Sequence, residues 1–303
     1  MTSGYASVSD LSVPNPQGRS DNDELQQPGV HTTIKEKTKK IFSCTKATWV
    51  GTLNTRTIRT PQRKLEMVHL FERSGMEIMG IQEHRLVHEE SVRVERVGVS
   101  SYLVTTSATR NSCQAAVGGV GFVLSRKAFR AVTEITPVNE RIVMITLNGN
   151  PKPTFICIYA PTEADSVEAA EEFHDELRCT VSQVPAHNLL SIIGDFNAHI
   201  SRRDEDDCGW YYHNRTNRNG ELLLDTALEC NLEITNTRFQ KKQSKMWTHL
   251  SDGTLTKSQL DFILVRRKWR NCVNPSVLSE RTTAHLGLPK RTASWQSQVG
   301  YCE

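Results

Sequence analysis

The sequence predicts an α/β protein built from two packed mixed β-sheets with helices outside them. Three observations lead there. Short apolar runs of strand length far outnumber helical patterns. Long helical crossovers are few, which argues against a doubly wound parallel sheet. The short runs are rich in Val, Ile, Thr and aromatic residues, which suit a pleated surface.

The strand candidates are 48–53, 78–81, 101–106, 120–124, 131–135, 141–147, 154–159, 189–194, 232–235 and 259–265. Three helices are readable between them. The first starts at Thr60–Pro61, with proline at the first helical position. It places Leu65, Val68 and Phe71 on one face and stops at Gly75. The second starts at Asp165, with Glu168 three residues on as a capping box. Its stripe is Val167, Ala170, Phe173, Leu177, Val181 and Val184. The third runs from about Gly220 to Cys230 and buries Leu223, Leu224, Ala227 and Leu228.

With 303 residues, 37% hydrophobic and 23% charged, the chain can bury a sizeable core. The texture divides it into a leader without regular structure (1–42), one domain (43–273) and an irregular C-terminal tail (274–303). The start lacks a signal peptide, and no stretch has the length of a membrane span. The expectation is a soluble intracellular protein of nucleus or cytoplasm, with reduced thiols, monomeric by default and with no membrane partner. None of the eight cysteines has zinc-ligand spacing.

Several strands end in a polar residue that a structural role alone does not call for. These are Asn54 after TWVGTL, Glu83 after IMGIQ and Tyr159 closing the strand of FICIYAPT. Asp195 and Asn197 follow LLSIIG, and Asp261 opens the strand of QLDFILV. One carboxylate after a strand is ordinarily a turn or cap residue, but five such positions together are not. In IIGDFNAHI the charge directly follows a strand that reads as buried on both faces. It needs a metal, a hydrogen-bond network or an ion pair there.

The ordered motifs GTLN, GIQE, IYAPT, GDFN and LDFIL resemble the endonuclease/exonuclease/phosphatase superfamily over about residues 46 to 273. Within it the chain looks most like the AP-endonuclease-like endonuclease domain of non-LTR retrotransposons (LINE/RTE type) and the host proteins derived from them. The cues are GTLNTRTI, GIQEHRL, GGVGFVLS, IYAPTE, GDFNAHI, NRNGELLLDTALECNL and WTHLSDGTLTKSQLDFILVRRKWRN. The resemblance implies a four-layer, DNase I-like sandwich and a divalent-metal-dependent phosphodiester hydrolase. It gives Glu83 to Mg²⁺ or Mn²⁺, with Asn54 beside it. Asp195 activates or positions the attacking water, Asn197 holds a phosphate oxygen, and Tyr159 contacts the phosphate or leaving group. Asp261 orients a histidine. A hard cation, a positioned water and donors around the phosphate are what such hydrolysis requires.

That histidine belongs to a Ser-Asp-His motif on the family's last strand, and no Ser-Asp-His occurs in these 303 residues. The last strand is expected to be missing. The histidine after Asp261 is His285, in Thr-Thr-Ala-His, where an alanine takes the place of the metal-side aspartate. Three readings therefore stay open. They are a DNA endonuclease, a catalytically dead nucleic-acid-binding remnant, and a phosphatase or lipid phosphodiesterase of the same fold.

Residues 238–270 hold nine Lys or Arg against two acidic residues, with Trp247 and Trp269 interleaved. A basic stretch with aromatics suits a DNA backbone. Arg56, Trp247, Arg266 and Arg267 are the contact candidates. The acidic run 204–207 reads as a solvated loop. His84, His88 and His199 lie near motif residues and read as loop or surface side chains.

Overall fold

The computed structural model describes residues 4–7, 30–33, 48–202, 208–212, 215–242, 246–250, 256–277 and 295–299. The chain begins with β1 (Gly4–Ser7), β2 (Val30–Thr33), β3 (Thr48–Asn54), α1 (Pro61–Ser74) and β4 (Ile78–Gln82). There follow β5 (Val92–Val97), β6 (Ser101–Thr106), β7 (Thr109–Arg110), β8 (Ala116–Val117), β9 (Val120–Ser125) and α2 (Arg126–Phe129). The middle holds β10 (Val132–Pro137), β11 (Ile142–Leu147), β12 (Pro153–Tyr159), α3 (Val167–Gln183), β13 (Leu189–Asp195) and α4 (Arg218–Glu229). Last come β14 (Leu232–Ile234), β15 (His249–Leu250), β16 (Lys257–Ser258), β17 (Asp261–Arg266), β18 (Val273–Val277) and β19 (Trp295–Val299).

Two large mixed sheets form. One has the order β1-β2-β10-β11-β12-β13-β17-β14, the other β18-β19-β3-β4-β9-β6-β5. Their facing sides make one core, where Val50, Ile78, Phe122 and Leu124 meet Ile145, Phe155, Ile193 and Ile263. The outer face of the first sheet packs on α3 and α4 through Ile156, Ile192 and Phe262 against Phe173, Leu177, Leu223 and Leu224. The outer face of the second packs on α1 through Leu53, Met79 and Ile81 against Met67, Val68 and Phe71. The layers are helices, sheet, sheet, helix, as expected. No helix among the described residues is long and apolar enough to cross a membrane.

Local chemistry explains the borders. The Thr60 hydroxyl accepts from the Arg63 amide at the start of α1, and Gly75 ends it at φ +70°. Leu65, placed on the inner face by its spacing, is 50% exposed; Met67 and Leu70 are buried there instead. The N-cap of α3 is Ser166, whose hydroxyl accepts from the Ala169 amide. Asp165 caps the preceding turn at Thr162. Helix α4 starts two residues early, capped by Asn217. Val167 and Leu228 lie on the solvent side.

The segments read as a leader and an irregular tail contribute strands, which corrects both readings at those places. Strand β2 pairs with β10, and β19 runs antiparallel to Thr48–Thr52 of β3. An open edge of β3 would leave a row of amides and carbonyls unpaired, and β19 satisfies them. The strand beside β3 is thus present, but its sequence WQSQV contains neither Asp nor His. His285 lies outside the described residues. The reading of the thiols as reduced is corrected at Cys272, which is disulfide-bonded.

Candidate active site

The polar residues at the strand ends converge because the strands that carry them share a direction. Strands β3 and β4 are parallel, with Asn54 opposite Gln82, so Asn54 and Glu83 leave the same sheet end. Strands β12 and β13 are parallel with Tyr159 opposite Asp195, and antiparallel β17 begins with Asp261 opposite Asp195. The open end of two packed sheets is where an α/β crevice forms. The side chains join across it. The Asn54 amide nitrogen donates to Glu83 Oε1 at 2.8 Å and to Asp195 Oδ2 at 2.9 Å. One amide therefore ties a carboxylate of one sheet to a carboxylate of the other.

Four side chains at this rim sit on left-handed backbone without being glycine: Arg56 (φ 54°), Glu83 (φ 52°), Arg85 (φ 58°) and Asn197 (φ 47°). Such conformations persist only where surrounding bonds impose them. At Asn197 those bonds are visible. Its amide N–H donates to Asp195 Oδ1 at 3.0 Å, and its side-chain nitrogen donates to the Ala160 carbonyl at 2.8 Å. Asn217 and Asn219, at the start of α4, both donate to the Asn197 carbonyl. Arg218 reaches the carbonyls of Thr162 and Asp165. This NRNG segment, read only as a helix start, clamps the Asp195 loop to the Tyr159 loop. A capping pattern signals the helix but not what else the cap holds.

The electrostatics are uneven. Burial pushes the Glu83 carboxyl up, but bonds from Arg85 (2.8 Å) and Asn54 and the Arg85 charge outweigh it, so it stays below its ordinary value. Asp195 is 5% exposed, and burial raises it to about 6 against the opposing bonds from Asn54 and the Asn197 amide. Asp261, 4% exposed, is raised well above the carboxylate range by burial and by the Asp195 charge. Its Oδ1 has no hydrogen-bond partner. Burial, and the charges of Glu83 and Asp195, also raise the Tyr159 hydroxyl, which stays protonated and bonds to Glu83.

Among the described residues no three His, Cys, Asp or Glu side chains stand as a ready cation cage. The donor set still fits Mg²⁺ or Mn²⁺. It offers hard oxygens, and such an ion needs only one or two carboxylates with water completing its shell. The buried Asp261 Oδ1, which no described residue bonds, is an oxygen that such an ion or its water can take up.

Of the nucleic-acid contact candidates, Arg56 lies at the site. Its guanidinium is 3.1 Å from His249 Nε2, and its amide donates to Asn54 Oδ1. Strand β15 thus brings to the rim a histidine, from the WTHLSDG stretch, to which the sequence reading gave no role. The structure gives the other three candidates packing or capping contacts. Trp247 is 5% exposed with the Lys257 ammonium over its ring, so it cannot stack on a base. Arg266 lies at the far end of β17 and donates to the carbonyls of Val181, Val184 and Pro185, capping α3. Arg267 donates to the Leu232 carbonyl. Arg266→Ala is accordingly expected to cost about 1–2 kcal/mol of stability in urea melts and to leave the salt dependence of DNA binding unchanged. His84 and His88 are not surface side chains either. His84 is fully buried between the Leu86 amide and the Val120 carbonyl, and burial lowers it to about 4. The His88 side chain is 1% exposed.

No family model matches the chain. Craniofacial development protein 2 of Bos taurus is 26% identical over 237 residues, 77% of this chain and 38% of that protein. The chain spans about two fifths of the length of the curated relatives it matches. Among solved structures, a 3′ phosphatase from Neisseria bound to product DNA hairpin superposes with a TM-score of 0.61 at 17% identity, covering 84% of this chain and 100% of that one. The endonuclease domain of TRAS1, a telomere-specific non-LTR retrotransposon, gives 0.55 at 14% identity, covering 84% and 99%. With mixed sheets between helices and these neighbours, the chain has the endonuclease/exonuclease/phosphatase fold.

Proposed function

We propose that the chain is a divalent-metal-dependent phosphodiester hydrolase acting on DNA. One observation carries this reading: the Asn54 amide joins Glu83 and Asp195 across the two sheets. Nothing in core packing requires two carboxylates to meet there. Glu83 and Asn54 would hold Mg²⁺ or Mn²⁺, which supplies charge neutralisation at the phosphate oxygens. Asp195 is fixed through both oxygens, by Asn54 and the Asn197 amide, and so is oriented to accept a proton from an attacking water. The Tyr159 hydroxyl stays protonated and can donate to a phosphate oxygen or a leaving group. Asn197, locked by α4, completes the phosphate side. The Neisseria relative's DNA hairpin supports DNA as the substrate class.

The test is nicking of supercoiled plasmid in Mg²⁺. The parent is expected to cut, and Glu83→Ala to cut at least a hundredfold more slowly. A variant as fast as the parent overturns the reading. A second reading, DNA binding without turnover, is favoured by the orphaned Asp261 Oδ1, to which no described residue offers a donor. A parent that binds DNA but does not nick it in Mg²⁺ or Mn²⁺ selects that reading.

A further inference from the structure

The loop that leaves the Asp195–Asn197 turn returns to it at Asn217, whose side chain accepts from the His199 amide. This loop carries Trp210, 73% exposed, the most exposed large aromatic side chain among the described residues. An aromatic ring left open to solvent offers a face on which a base can stack. Its ring is not loose. The Arg202 guanidinium lies 3.6 Å from the ring centroid, over one face. With that face covered, the exposure comes from the opposite face and the edges.

The backbone on both sides is pinned. The Gly209 amide donates to Thr237 Oγ1 at 2.7 Å, and the Tyr211 amide to the Thr237 carbonyl at 2.9 Å. Thr237 follows Asn236, which is itself bonded to the first turn of the catalytic sheet end. The Asn236 side chain donates to the Asp261 carbonyl and accepts from the Ile263 amide. An unbroken chain of bonds thus runs from Asp261 through Asn236 and Thr237 to the residues flanking Trp210. At the loop base, Ser201 and Thr216 close it with a 2.6 Å hydroxyl bond. The backbone that carries the ring is thus tied to the end of β17 at which Asp261 stands.

We propose that Trp210, backed by Arg202, is a stacking platform for an unpaired base, so that the site takes nucleic acid with single-stranded or displaced bases at the cleavage point. The inference rests on the nuclease reading above and adds to it the substrate's form. The loop's charges point the same way. In sequence the loop has four acidic residues, Asp204, Glu205, Asp206 and Asp207 (outside the described residues), against Arg202, Arg203 and Arg215, so its net charge does not favour phosphate. What it offers is a ring face, and every base has one, whereas a base inside a duplex keeps its faces stacked on neighbours.

The test uses the full chain and 2-aminopurine oligonucleotides, as a single strand, as a duplex with a short single-stranded gap, and as an intact duplex. Fluorescence anisotropy gives affinity, and quenching of 2-aminopurine reports stacking. The parent is expected to bind the unpaired forms more tightly and to quench the probe. Trp210→Ala should weaken binding to those forms about tenfold and abolish the quench, while intact duplex changes less than about twofold. Trp210→Phe should restore most of both. Equal thermal melts of the parent and Trp210→Ala confirm that folding is intact, as exposure of the side chain leads one to expect. Unchanged affinity and quench in Trp210→Ala, with a parent that binds and nicks DNA, overturns the platform and leaves the nuclease reading standing. A parent that binds none of the three substrates overturns both.

Discussion

Replacing Asp261 with asparagine is expected to stabilise the protein in chelator at pH 7, by on the order of 2 kcal/mol. Asp261 sits directly opposite Asp195 in the β13–β17 pairing, both are buried, and one Asp261 oxygen has no donor. Burial of the carboxylate is unfavourable in itself, and the Asp195 charge opposite adds to it, against one bond from Thr248. An amide of the same shape removes the charge and can donate toward Asp195.

The pH dependence of the gain identifies its cause. Burial and Asp195 raise the folded carboxyl of Asp261 above its unfolded value. Below pH 4 the group is protonated in both states, so parent and variant should have similar stability. As pH rises from about 4, the unfolded chain releases a proton that the folded chain keeps, and the parent's stability falls relative to the variant. The parent curve alone is not diagnostic. His84 and His174 are buried and lowered to about 4, so each contributes stability that is present above its unfolded value near 6.5 and lost as pH falls toward 4. That slope opposes the carboxylate slope. The quantity to measure is the difference between parent and variant in urea melts from pH 4 to 7. It should be near zero at the acid end and grow steadily; a difference independent of pH would refute charge repulsion as its source. Such a cost, carried where Asn54 gathers carboxylates, is the pattern of a site selected for chemistry at the expense of stability.

The fold was legible where periodicity and punctuation agree. Thr60, Pro61 and Gly75 bracket α1 because an N-cap, a proline at the first position and a left-handed end act within one turn each. The two-sheet architecture followed from many buried apolar runs, of which LLSIIGD, buried at every position, is the extreme. Strands β18 and β19 were not legible. The place of β19 is decided by the edge of β3, more than 240 positions away in the chain, and that of β18 by β19, not by their own composition. The exposed face of Leu65 was misread because the spacing of apolar residues in α1 admits two stripes, and the second sheet selects the one holding Met67 and Leu70.

At the site, the strand-end residues could be read because each violates what its strand otherwise favours. The structure brings Asn54, Glu83, Tyr159, Asp195, Asn197 and Asp261 to one rim. Arg85 and His249 escaped notice since neither ends one of the strands legible in the sequence. Arg85 reaches back to Glu83 only through a left-handed turn, and His249 meets Arg56 only once the β15–β16 hairpin folds over. The basic stretch misled because arginine serves carbonyls as readily as phosphates. Arg266 was placed among DNA contacts by charge, while its guanidinium makes three bonds to carbonyls at the end of α3.

Gly194→Ala is expected to cost about 3–5 kcal/mol and to dismantle the site along with the stability. Gly194 has φ +154° and precedes Asp195. A Cβ there would collide with the Ile158 carbonyl oxygen, with the Ile158 carbon and nitrogen at 3.0 Å. Those atoms are backbone of β12, paired in register with Gly194. They cannot swing aside as a side chain would, so β12 and β13 must separate where Tyr159 and Asp195 face each other. Gly75→Ala is the control. It has φ +70° but nothing within 4 Å of the added atom, so only the left-handed backbone is penalised, at about 1–2 kcal/mol. If strain alone mattered, the two variants would lose similar stability. If the close approach of β12 decides, Gly194→Ala loses at least twice as much, and its DNA nicking falls even at temperatures where it remains folded. Urea midpoints for the two variants, measured side by side, separate these outcomes.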